Sequence, residues 1–155
     1  MEKFTHVDNN GNAVMVDVSD KSVTYRIAMA SGEISMSQEC FEQVKNHRHK
    51  KGDVLCVAQV AGIMAAKKNA ELIPLCHNIP LTNVSVEFEE MESGYRAIST
   101  VKCTAVTGAE MEALTAVSVA LLTVYDMCKA VDKKMIINNI HLLEKHGGKS
   151  RDFYF

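Results

Sequence analysis

Apolar residues recur along this chain with two spacings, and the changes from one to the other mark out its elements. "AVMVDVSD", residues 13–20, alternates apolar and polar positions up to a Ser-Asp turn, the pattern of a half-buried strand. "SVTYRIAMASG", 22–32, predicts a second strand that stops at Ser-Gly. Over "SMSQECFEQVKNH", 35–47, the period lengthens. Cys40, Phe41 and Val44 make a helical stripe, and Ser35 with Gln38 fits a capping box. Asp53 is a candidate cap for a further helix, "VLCVAQVAGIMAAKKN", whose apolar face is expected to include Val57, Val60, Ala61 and Met64. Lys67 and Lys68 at its end complement the helix dipole.

"LIPLCHNIPLTN", 72–83, breaks both periods. It holds both prolines of the chain, Pro74 and Pro80, and each forces its neighbour out of helical geometry into an extended loop. "VSVEFEE" and "YRAISTVKCTAV" then alternate around "MESG", which predicts a hairpin. "TGAEMEALTAVSVALLTVYDMCKAVDKK", 107–134, is apolar almost without interruption from Ala113 to Tyr125. Glu110 and Glu112 precede that run; Asp126, Lys129 and a Lys133–Lys134 pair follow it. "MIINNIHLL", 135–143, supplies a last strand.

From residue 22 the order is strand, helix pair, strand, strand, helix, strand. That order matches an α+β sandwich of ferredoxin-like type, an antiparallel sheet with helices on one face. A short N-terminal strand precedes it, and one domain is expected over residues 1–155. In a two-layer fold one helix face normally meets solvent, so a helix apolar all round needs a second partner. Subunit association is the economical explanation, and a central place in the core is the plain one.

Composition narrows the class. The chain has 155 residues, enough for a real core, and is 47% hydrophobic and 23% charged. No apolar segment follows a basic start, and the run 113–125 is shorter than the roughly 20 residues a bilayer crossing needs. A soluble, cytoplasmic protein is expected. Its five cysteines, Cys40, Cys56, Cys76, Cys103 and Cys128, are odd in number and include no CxxC, which argues against a disulfide framework or a thiolate zinc site. A net charge of −2 argues against wholesale nucleic-acid binding. The positive charge is clumped at "HRHKK" (47–51), Lys67–Lys68, Lys133–Lys134 and "KHGGKSR" (145–151). Singly these read as solvated turns; brought together they suit a polyanionic small molecule.

Candidate chemistry sits in few places. Asp126 and Lys129, three apart on a helix, are neighbours, and the plain reading is an exposed ion pair. Glu110 and Glu112 suit a helix N-terminus on dipole grounds alone. His77, in a loop stiffened by two prolines, is a proton carrier near neutral pH held in a defined place. "GGKS", 147–150, is not a phosphate-binding P-loop, because Leu143 stands where that motif needs glycine. His47 and His49 flank an arginine, a poor setting for a metal cation.

Several stretches together resemble one family. "MVDVSDK", "KGDVLCVAQVAGIMAAKK", "LIPLCH", "TGAEMEALTAVSVALLTVYDMCKA" and "LLEKHGGKS" are similar to the signature segments of the cyclic pyranopterin monophosphate synthases, molybdenum cofactor biosynthesis protein C, in the expected order. The tail departs from that pattern: His146 replaces a small residue, and "SRDFYF" replaces a short glycine-containing ending. The resemblance implies a ferredoxin-like subunit in a hexamer, a trimer of dimers, with sites at subunit interfaces. It implies a lyase that converts 3′,8-cyclised dihydro-GTP to cyclic pyranopterin monophosphate and releases pyrophosphate, with no nucleic acid or membrane partner. No cofactor is implied, and a divalent cation such as Mg²⁺ is left open as a companion of the triphosphate. Carried over by position, Asp126 is the catalytic acid/base and Lys129 its partner, with Lys51 and His77 in the same catalytic set. Leu75, Cys76 and His77 match the substrate-binding loop, and Met111 and Glu112 a second binding pair with Glu110 nearby. Lys145 matches a phosphate-binding lysine, and Arg26 is a further candidate. Glu112 and Asp126 lie 14 residues apart on one helix, roughly 21 Å, so the resemblance and this spacing together imply a site built from two chains. The competing readings are a GTP hydrolase or cyclase and a non-catalytic, oligomeric purine-nucleotide-binding module.

Overall fold

A computed structural model describes residues 4–46 and 53–155; Lys51 and the basic run 47–51 lie outside the described residues. The elements are β1 (Thr24–Ser35), α1 (Gln38–Lys45), α2 (Val54–Lys67), α3 (Asn69–Leu72), β2 (Leu81–Met91), β3 (Gly94–Ala105), α4 (Glu110–Cys128), β4 (Ile136–His146) and β5 (Phe153–Tyr154). The sheet runs β2-β3-β1-β4-β5, and each neighbouring pair is antiparallel. The first four strands with the intervening helices are the ferredoxin-like arrangement that the order of elements predicted.

Strand alternation decides which face is covered. Ala28, Ala30, Gly32 and Ile34 of β1 stand opposite Val101, Ser99, Ala97 and Tyr95 of β3, and all eight are buried. The residues between them, such as Arg96, Thr100 and Lys102, point to the other face and stay partly exposed. β2 joins β3 through Glu92 and Ser93. Gly94 closes this hairpin with φ 152°, in a spot where a side chain would run into the Ile34 carbonyl.

α4 lies on the buried sheet face and packs against α2 as well as against β1, β3 and β4. A central position therefore accounts for most of its all-round apolar character, and Met111 and Leu122 are the large apolar side chains it leaves exposed. By length and composition alone this 19-residue helix is apolar enough to cross a membrane, contrary to the shorter span expected from residues 113–125, and 56% of its most apolar window is buried within the fold.

Three sequence expectations are corrected. Residues 13–20 form no strand; an isolated bridge, Val7 to Ala13, is the nearest feature. Asp17 instead accepts from the Ser19 N–H and hydroxyl, a local turn that competes with strand pairing. The cap of α1 is Ser37, whose Oγ accepts from the Cys40 N–H at 3.3 Å, not Ser35, which is the last residue of β1. Most sharply, Val57, Val60 and Met64 are 44%, 57% and 53% exposed, while Ala58, Gly62, Ala65 and Ala66 form the buried face of α2. Small residues let the α2 and α4 backbones approach closely, and that close approach selects the buried face over the bulkier stripe. Asp53 does cap α2, accepting from the Cys56 N–H at 3.1 Å.

Candidate active site

The loop between the two prolines and the start of α4 build one cavity. Leu75, Cys76 and His77 line it from the loop, and Glu110, Met111 and Glu112 line it from the first turn of α4, with Thr107, Gly108 and His6 completing a space of about 290 Å³. All six residues expected to bind substrate in these two segments thus meet. His77 is oriented by the N-terminal segment: its Nε2 lies 2.8 Å from the Val16 carbonyl. A carbonyl only accepts, so Nε2 carries the hydrogen and the neutral ring keeps Nδ1 as its basic nitrogen.

Glu112 is 5% exposed. Burial pushes its carboxyl above the ordinary range, opposed by hydrogen bonds including one from Asn69 Nδ2 at 3.2 Å. Glu110 is engaged differently, by Lys145 Nζ at 2.6 Å with both side chains partly buried. Lys145 reaches it from β4, where it stands opposite Ala28 of β1.

Beyond that ion pair the charge turns positive. Arg26 donates from Nε to the Ala105 carbonyl and from Nη2 to the Val106 carbonyl, both at 3.2 Å. It lines a small cleft with Glu110, Lys145 and Gly147. It also lines a cavity of about 300 Å³ with Lys21, Ser22, Thr24, Lys149 and Ser150. Gly147 and Gly148 have φ of 89° and 85°, and a side chain at Gly148 would collide with the Arg26 guanidinium. The glycine pair works as a close approach to Arg26.

Asp126 and Lys129 stand at the other end of α4. Lys129 Nζ is 2.7 Å from Asp126 Oδ1, with side chains 51% and 64% exposed; that ion pair raises the lysine's pKa. Residue Lys133 is close by, its carbonyl accepting from the Tyr125 hydroxyl at 3.1 Å. One chain therefore joins Arg26, Lys145, the 75–77 loop and the 110–112 turn, and holds Asp126–Lys129 a helix length away.

Residues 15–148 match the family model described as the MoaC family. The chain belongs to the MoaC family. It is 58% identical over 153 residues to a protein of Clostridium botulinum (strain Alaska E43 / Type E3), covering 97% of this chain and 96% of that one. It is 55% identical over 154 residues to one of Brevibacillus brevis, covering 99% and 96%. It is likewise 55% identical over 155 residues to one of Magnetococcus marinus, covering 99% and 95%. All three relatives carry the name cyclic pyranopterin monophosphate synthase.

In this MoaC-family chain several participants escape sequence reasoning. Lys21, though part of the quoted "MVDVSDK", shows no periodic signal, and its place beside Arg26 depends on how the N-terminal segment folds back. His6 enters the cavity for the same reason. Asn69 is brought to Glu112 and Thr115 of α4 by the short helix α3, which is not expected from the sequence. Among the described residues no three His, Cys, Asp or Glu side chains gather to hold a metal ion.

Proposed function

We propose that this MoaC-family chain converts (8S)-3′,8-cyclo-7,8-dihydroguanosine 5′-triphosphate to cyclic pyranopterin monophosphate with release of pyrophosphate, as a lyase of molybdenum cofactor biosynthesis in the cytoplasm. One observation carries the reading: the 75–77 loop and the 110–112 turn, remote in sequence, line one cavity next to a cationic cleft. A purine-derived base presents N–H donors, for which the Glu112 carboxylate is a buried acceptor. Lys21, Arg26, Lys145 and Lys149 suit the phosphates. Any divalent cation would arrive on the triphosphate, since no carboxylate cage is gathered among the described residues.

The chemistry divides into two parts. Reorganising the purine carbons into a pyranopterin moves protons to and from nitrogen, which calls for positioned acids and bases. His77 Nδ1, Asp126, Lys129 and Lys51 fill those roles. Closing the cyclic phosphate is an in-line attack of a ribose oxygen on the α-phosphorus; the bond to the bridging oxygen breaks, and pyrophosphate leaves with its charge met by lysines. Because one chain holds Asp126–Lys129 far from the cavity, the Asp126 end of one subunit meets the Glu112 end of another in a homo-oligomer, in keeping with a hexamer built as a trimer of dimers. The exposed Val57, Val60 and Met64 stripe supports association.

Co-refolding tests the shared site. Glu112→Ala and Asp126→Ala proteins are each expected to lose at least about a hundredfold in turnover, and mixed oligomers to regain a fraction of it, read as pyranopterin and pyrophosphate formed from the cyclised substrate. Proven mixed oligomers without recovery would overturn the shared site. Substantial turnover of GTP alone would favour a hydrolase or cyclase instead.

A further inference from the structure

Asn69 is a polar side chain where the fold calls for none. It is 1% exposed, it opens α3, and neither it nor Lys68 makes a side-chain cap bond to that helix. A buried amide without partners is costly, and Asn69 finds both of its partners on α4. Thr115 Oγ1 donates to Asn69 Oδ1 at 2.7 Å, and Asn69 Nδ2 donates to Glu112 Oε1 at 3.2 Å. The bonding roles match the orientation. With Glu112 ionised, the carboxylate only accepts and the amide NH₂ only donates, which fits the NH₂ facing Glu112 and the amide oxygen facing the Thr115 hydroxyl. Thr115 lies one turn beyond Glu112 on the same helix and locks the amide from behind.

We propose that Asn69, held by Thr115, is a positioning residue that keeps the Glu112 side chain ionised and aimed into the cavity, ready to accept N–H donors from a purine-type ligand. The assignment rests on the reading of Glu112 as a substrate-binding group. Burial first, and the neighbouring Glu110 after it, favour the protonated form of Glu112; a hydrogen bond from its own backbone N–H and then the Asn69 bond favour the charged one, and Asn69 is the side chain among them. The groups facing this carboxyl are Glu110 on its own helix with Lys145 beyond it, the Cys103 thiol from β3, and Cys76, His77 and His6 around the cavity. Among the described residues none of those facing side chains donates a hydrogen bond to it, whereas Asn69 does.

Removing the donor leaves burial and Glu110 less opposed, so Glu112 takes up its proton at higher pH. Ligand binding that needs the carboxylate is lost as pH falls through the Glu112 pKa. A further rise in that pKa therefore moves the acid limb of kcat/KM upward, and the defect should shrink as pH increases.

The experiment uses the full chain with Asn69→Leu, which keeps the volume and removes the amide, and Thr115→Val, which keeps the shape and removes the hydroxyl. Kinetics with cyclised dihydro-GTP over about pH 5.5–8.5 should show KM rising about tenfold for Asn69→Leu, the weight of a hydrogen bond to a charged group, with kcat changed less. The acid limb should move to higher pH in both variants, less in Thr115→Val. In parallel, carboxyl-carbon NMR of the free proteins should place the Glu112 midpoint higher in both variants than in the parent. An unmoved midpoint overturns the assignment. So does an equal fall in kcat at every pH together with a lower melting temperature, the mark of a purely structural role. If the parent turns over no cyclised dihydro-GTP, the proposed function fails, while the NMR midpoint still decides what Asn69 does.

Discussion

Tyr95 is the largest fully buried side chain, packed against Phe41 at 5.3 Å and edge-on to Phe88 at 6.4 Å between ring centres. Its hydroxyl has no hydrogen-bond partner among the described residues, and burial pushes its pKa up to about 12. An unpartnered buried hydroxyl costs about 1–3 kcal/mol. Tyr95→Phe is therefore expected to leave stability unchanged or raise it by about 1 kcal/mol, read as a higher melting temperature; a clear fall would mean the hydroxyl is bonded. At this scale the sequence was legible where chemistry and chain stiffness coincide. His77 between two prolines, and Glu110 with Glu112 at a helix start, were found from residue type and position, and the resemblance gave them roles. Asn69 was not legible, because a buried asparagine carries no periodic signal and its partners lie more than forty positions away.

The α2–α4 contact shows what one atom decides at the scale of an element. In an exposed helix, replacing glycine by alanine gains about 1 kcal/mol of helix propensity. At Gly62 an added Cβ would lie 2.8 Å from the Ala116 carbonyl oxygen, 3.0 Å from a Val86 methyl and 3.2 Å from the Ala120 Cβ. The nearest of these is backbone on a helix packed against the sheet, which cannot turn aside as a side chain can. Gly62→Ala is expected to destabilise by about 1–3 kcal/mol, measured by denaturant unfolding, and a gain in stability would show that the helices can separate without cost. The same contact explains the misread face of α2. Hydrophobicity favours the Val57–Val60–Met64 stripe, while close packing favours the smaller residues, and only a partner helix in place reveals which criterion rules. The elements that obey a single period are legible: β1, β3 and the hairpin alternate cleanly, and α4 is long, whereas α3 and β5, four residues and two, are too short to show one. Residues 13–20 also alternate, yet beyond the Val7–Ala13 bridge they find no strand partner; the segment turns at Asp17–Ser19 and orients His77 through the Val16 carbonyl.

At the scale of the molecule, two features that a single chain leaves incomplete have a common resolution. The chain exposes three large apolar side chains on consecutive turns of α2, and it separates the Asp126–Lys129 pair from the cavity that holds His77 and Glu112. Solvating an aliphatic stripe costs about 25 cal/mol for each Å² of apolar surface, so the proposed homo-oligomer would gain by covering it, and its assembly would bring the two ends of different α4 helices together. Charges placed on the stripe should then act on assembly first and on chemistry only through it. The double variant Val60→Lys with Met64→Lys changes side chains more than half exposed, so the fold of each chain should survive, as read by circular dichroism. Light scattering should show smaller particles than the parent forms, and turnover per chain should fall in step with the loss of assembled species and recover at higher protein concentration. If the parent is already a monomer and active, or if the variant disassembles at full turnover, each chain must complete its own site, and Asp126 would have no part in the chemistry.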